Sequence, residues 1–108
     1  MSAQATMQEE RIKTVVIKID KEGRPHVDDD LEIVVLNKTK NEEIRWTSAE
    51  PFRIDFFGDS PFYEDQFDHV YHQSGLVRRG VLSSPSRTYK YTIEVNGKKL
   101  DPRVKVDP

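Results

Sequence analysis

The chain has 108 residues, 35% hydrophobic and 33% charged, with 17 basic against 19 acidic residues and a formal net charge of −2. That composition allows one modest core under a highly charged surface, and the near-balance of charge leaves no basic footprint for nucleic acid or an anionic membrane. There is no cysteine, which excludes disulfides, thiolate nucleophiles, Cys-ligated zinc and iron–sulfur clusters.

Residues 1–10 are small and polar without a period, and read as a disordered arm; residues 11–108 read as a single domain. The start of the chain shows no basic region followed by a long apolar run, so the default expectation is a cytoplasmic chain. Val15, Ile17 and Ile19 alternate with their neighbours and predict a first strand. "KEGRP" is a turn, and Asp28 to Asp30 fall at a turn or strand edge. "LEIVVLN" is a β-branched run short enough for a buried strand. "NKTKNEE" is a loop, "EIRW" starts a further strand, and "FRIDFF" puts Phe52, Ile54 and Phe56 on one face.

The period then changes. "SPFYEDQFDHVYHQSG" offers Ser60 as an N-cap, Pro61 at the first helical position and Gly75 as a C-cap residue. Tyr63, Phe67, Val70 and Tyr71 recur at helical spacing, which predicts a short helix with a buried aromatic stripe. "LVRRGVL" reads as extended and "SSPSR" as a loop.

The closing stretch is the most regular. Tyr89, Tyr91, Ile93 and Val95 form one face; Thr88, Lys90, Thr92 and Glu94 form the other. Asn96-Gly97 is the strongest short-range hairpin signal, because both positions tolerate positive φ. A two-residue loop puts Glu94 opposite Lys99, Ile93 opposite Leu100 and, carried on, Tyr89 opposite Val104. Pro102 cannot donate to a ladder, so its nitrogen must face solvent or a bulge. About seven short strands and one helix between the middle strands predict an all-β sandwich.

Three stretches carry a resemblance. "LEIVVLNKTKNEEIRW", ending in Trp46, then "PFRIDFFGDSPF", then "YKYTIEVNGKKLDPRVKVDP" together resemble the cupredoxins, the plastocyanin-like Greek-key β-sandwiches, over roughly residues 12–108. The resemblance implies a fold without the family's chemistry. A type 1 copper site needs a thiolate and two imidazoles, usually with an axial thioether. Here the stretch after the Trp-bearing strand, "SAEPFRID", has no His, and the span between the last two strands, "EVNGKKL", is a tight hairpin without a ligand. The expectation is a non-enzymatic, copper-free binding or protein-interaction module. A protein partner or self-association is expected, through a sheet edge or the aromatic segment Phe56 to Tyr71.

One polar constellation supplies an alternative. On the predicted helix Asp65, Asp68, His69 and His72 stand at i, i+3, i+4 and i+7 and share one face. Imidazole nitrogens with carboxylate oxygens suit a divalent metal such as zinc. The plainer reading is a solvated face with Asp65–His69 and Asp68–His72 as i,i+4 pairs. Ser83, Ser84 and Ser86 lie in no nucleophile-elbow motif, and the acidic pairs Asp55/Asp59 and Glu64/Asp65 have no spacing that fixes a glycosidase geometry. Trp46 and Tyr89 read as core residues.

Overall fold

Alternating β-branched and charged residues cannot bury a helical stripe, but they bury one face of a strand. The computed structural model, which describes residues 11–81 and 85–108, follows that rule most plainly along Ile12–Ile19, Ile33–Asn37 and Arg103–Asp107. Its strands are β1 (Ile12–Ile19), β2 (Pro25–His26), β3 (Ile33–Asn37), β4 (Glu43–Ser48), β5 (Arg53–Asp55), β6 (Gln66–Asp68), β7 (Arg87–Lys90), β8 (Thr92–Val95), β9 (Lys98–Leu100) and β10 (Arg103–Asp107), with one 3-10 turn at Asp29–Leu31. The protein is all-β. The arm assigned to residues 1–10 lies outside the described residues. No helix among those residues is long and apolar enough to cross a membrane.

The strands form three sheets, ordered β2-β1-β4, β3-β10-β7 and β6-β5-β8-β9. Two pairings are parallel and far apart in sequence: β1 lies beside β4 with Val15 opposite Trp46, and β10 beside β3 with Val104 opposite Val34. One core gathers residues from all three sheets, including Val15, Leu36, Trp46, Ile54, Phe67 and Val106. Trp46, Tyr89 and Tyr91 are its largest fully buried side chains.

The closing hairpin keeps its expected register. Ile93 faces Leu100, Glu94 faces Lys99, and Tyr89 faces Val104. Asn96 (φ 53°) and Gly97 (φ 76°) make the turn. The register survives a change of sheet: β8 and β9 belong to one sheet, β7 and β10 to another. The break falls at Tyr91 and at Asp101–Pro102, where the Tyr91 N–H donates to the Pro102 carbonyl at 3.0 Å. Pro102, without an N–H, sits where the ladder is interrupted anyway. The bend moves Thr92 off the solvent face it shares with Lys90 in a flat strand. Thr92 is buried, and its hydroxyl donates to Asp101 at 2.6 Å.

Two expectations are corrected. The helix between the middle strands does not form: residues 60–75 hold β6 and a series of turns. Tyr63, Val70 and Tyr71 therefore stand in solvent, and of the predicted stripe only Phe67 is buried. "LEIVVLN" is not buried on both sides either. Successive side chains of β3 point to opposite faces of its sheet and only one face meets the core, so Val34 and Leu36 are buried while Ile33 and Val35 stay 43% exposed.

Candidate interaction surface

The segment from β5 through β6 alternates buried and exposed aromatics. Phe56, Phe62 and Phe67 are buried, and their ring centroids lie 5.7 to 6.4 Å apart in edge-to-face pairs. Trp46 lies 5.1 Å from Phe67, and Tyr91 stacks on Phe56 at 5.0 Å. Edge-to-face packing fixes ring orientation as well as position. This cluster is a rigid base for the loops that leave it.

Three of those loops each hold an aromatic out. The first is the tight turn Phe56–Asp59. Phe57 (φ 55°) and Gly58 (φ 84°) both lie in the left-handed region, and the Asp59 N–H donates to the Phe56 carbonyl at 3.2 Å. The Asp55 carboxylate accepts the Phe57 N–H at 2.7 Å. Left-handed backbone costs a non-glycine residue about 1–2 kcal/mol, and Phe57 carries that strain with its side chain 70% exposed.

The second loop is organised by Ser60. Its buried hydroxyl accepts the Phe62 N–H at 3.0 Å and donates to the Glu64 carbonyl at 2.7 Å. Phe62 is thereby turned inward and Tyr63, 68% exposed, outward. The third loop hangs on Asp68, whose carboxylate accepts the N–H groups of Val70 (2.8 Å) and Tyr71 (2.9 Å). Those bonds, the Tyr71 N–H first, hold the Asp68 carboxyl below its usual range. Val70 and Tyr71 project into solvent, Tyr71 at 75% exposure. Beside Tyr71 lies an open hollow of about 330 Å³ lined by Asp55, Glu64, Asp65 and Asp68 with Arg53.

The four residues predicted to share a helical face are placed on different backbone. Asp65 precedes β6, and its carbonyl accepts the Phe56 N–H at 2.8 Å. Asp68 is engaged by the turn it organises. His69 is exposed, with its ring edge-on to Phe52 at 6.5 Å. His72 lies along β4, where its carbonyl accepts the Trp46 N–H at 2.8 Å and its buried Nδ1 has no partner among the described residues. Strand and turn geometry removes the shared face that the i, i+3, i+4, i+7 spacing requires. Among the described residues no three His, Asp or Glu side chains converge as metal ligands. His26 is exposed on β2, opposite Lys18 of β1. Ser83 and Ser84 lie outside the described residues; the Ser86 hydroxyl donates to Asp107 at 2.5 Å.

Phe57 carries no sequence motif. Its signal is Gly58, which completes a turn with positive φ at both central positions, where Asn or Gly is the usual first residue. Compared with known proteins, the chain matches no family model, no curated protein and no solved structure.

Proposed function

We propose that this chain is a non-enzymatic protein-interaction module that docks a protein partner on the aromatic rim of Phe57, Tyr63 and Tyr71. One observation carries the reading: Phe57 is both strained and exposed. A phenyl ring left largely in water on strained backbone adds little to the isolated fold. Such outliers persist at recognition sites, where the strain holds a side chain in its bound position. Large aromatics set in advance by a rigid base are the usual anchors of protein interfaces.

The scaffold for this rim is a copper-free, cupredoxin-like Greek-key sandwich. The reading rests on the resemblance of the three quoted stretches and on the two-layer character of the Tyr89–Val106 hairpin. The absence of cysteine from the sequence removes the thiolate that a type 1 copper centre requires.

The test is affinity capture from a cell extract with the intact chain, run beside Phe57→Asn and Tyr71→Ser. A protein retained by the unaltered chain and lost on either substitution is expected. Equal retention by all three chains would refute the rim as the docking surface.

A further inference from the structure

The outer edge of β3 also exposes apolar side chains, and it lies in a different sheet from β5 and β6 beneath the rim. Its peptide groups can be assigned one by one. The Arg103 N–H donates to the Glu32 carbonyl at 2.8 Å, and the Lys38 N–H to the Asp107 carbonyl at 2.9 Å. In a parallel ladder successive residues face alternate sides, so residues 32, 34, 36 and 38 address β10 and residues 33, 35 and 37 face outward. Asn37 is satisfied on that side: its N–H donates to the Glu42 carboxylate at 2.6 Å, and its carbonyl accepts the Glu42 N–H at 3.4 Å. Among the described residues no group satisfies the outward peptides of Ile33 and Val35. Both side chains are 43% exposed.

Sheet edges of soluble proteins are commonly blunted by an inward charge, a proline or a bulge. Residues 33–37, "IVVLN", contain no proline or charge, and pair with β10 without a bulge. The charges stand at the two ends instead. Asp28, Asp29, Asp30 and Glu32 precede the strand, and Lys38 and Lys40 follow it. That polarity determines the orientation of any second copy. Antiparallel approach sets the acidic end of one β3 against the basic end of the other, twice; parallel approach sets like against like.

The free peptides fix the register. With Ile33 opposite the partner's Val35, each copy uses both of its unpaired peptides and four hydrogen bonds form about a two-fold axis at Val34. Placing Val35 opposite itself needs the Asn37 groups, which Glu42 already holds. In the first register Ile33 and Val35 of both copies form a four-residue aliphatic cluster on the outer face, a favourable cross-strand arrangement.

We propose that a second copy of this chain docks antiparallel along β3, joining two three-stranded sheets into one of six strands. The contact is isologous, so it closes as a dimer instead of propagating. The paired edge is five residues long, so the dimer belongs to the weak class of interfaces, with dissociation in the range of about 10–100 μM.

Sedimentation of the intact chain from micromolar to roughly millimolar concentration tests this. A monomer–dimer equilibrium is expected. Val35→Lys, at an exposed position, is expected to weaken it at least about tenfold without changing the circular dichroism spectrum. Mild oxidation of Ile33→Cys mixed with Val35→Cys is expected to give a disulfide-linked dimer, while either variant alone does not, because only unlike positions face each other. The native chain supplies no competing thiol. Phe57→Asn is expected to leave dimerisation intact, which separates this edge from the rim. A monomer at every concentration, an unweakened Val35→Lys dimer, cross-linking of Val35→Cys alone, or loss of dimer on Phe57→Asn would each overturn the proposal.

Discussion

The indole N–H of Trp46 donates to the hydroxyl of Tyr91 at 3.3 Å, with both side chains sealed in the core. The bond joins β4, in the sheet of the first strands, to the point where the closing hairpin changes sheets. Burial pushes the Tyr91 hydroxyl up to about 12, and outweighs the lowering from the Trp46 bond. Tyr91→Phe removes the only acceptor the buried indole N–H has among the described residues, and is expected to cost about 1–3 kcal/mol in denaturant unfolding.

The same residue makes an alkaline prediction. The folded state holds the Tyr91 hydroxyl above its ordinary value of 10. Its contribution is complete below that value and is lost as pH rises through about 12. Unfolding followed between these limits is expected to fall less steeply with pH in Tyr91→Phe than in the unaltered chain. Parallel slopes would show that the Tyr91 hydroxyl ionises as freely folded as unfolded.

Phe57→Asn should stabilise the fold. Asn tolerates left-handed backbone and is the favoured first residue of this turn, and the Asp55 carboxylate can still accept the backbone N–H. A gain of about 1 kcal/mol is expected, a rise of several degrees in the melting temperature of a chain of this size. Stabilisation together with loss of partner binding is the pattern expected where function retains strain. A lower melting temperature would mean that the exposed ring supports the fold.

Ser74 closes the outer edge of β4. Its hydroxyl accepts the N–H of fully buried Ile44 at 2.9 Å, and its own N–H donates to the Ile44 carbonyl at 2.8 Å. Ser74→Ala leaves the Ile44 N–H unsatisfied, with an expected loss of about 1–3 kcal/mol in equilibrium unfolding. Ser48→Ala, at the half-buried end of the same strand, removes only a 3.1 Å bond from the N–H of exposed Glu50, which water can replace, and is expected to cost less than Ser74→Ala.

Asp68 gives an acid-side prediction. Its folded value lies below the ordinary carboxylate value of 3.8. The order it gives the Val70–Tyr71 turn is present above that value and lost as pH falls through the lowered one. The Val70 and Tyr71 amide resonances are expected to titrate together, below the range of an unperturbed aspartate, and to lose that titration in Asp68→Ala.

What was legible in the sequence was what neighbouring residues determine between themselves. The Asn96-Gly97 turn set a register that held as far as Tyr89 and Val104, because each hairpin pair constrains the next. The parallel pairings of β1 with β4 and of β3 with β10 leave no local pattern, since their partners are far apart in the chain. The helix expectation failed for a related reason. Ser60, Pro61 and Gly75 fit a helix start and stop, but the same residues serve turns: the Ser60 hydroxyl binds within its own loop, and Gly75 takes a positive φ. The helical spacing of Tyr63, Phe67, Val70 and Tyr71 competed with the demand of β5 for an antiparallel neighbour, which β6 supplies by pairing Phe67 with Ile54. The Asp/His constellation depended on that helix and lost its common face with it. The rim was legible only as an aromatic-rich stretch, because exposure is decided by which loops the Ser60 and Asp68 side chains build.

The position of β10 has a consequence for biosynthesis. It is the central strand of its sheet, between β3 and β7, and it is translated more than sixty residues after β3. Until residues 103–107 emerge, a nascent chain has β3 with neither edge covered, so this layer cannot assemble in step with translation. Ile33 to Leu36 then stay a sticky segment of the unfinished polypeptide until its last strand arrives, and the acidic and basic residues that flank them act as its gatekeepers.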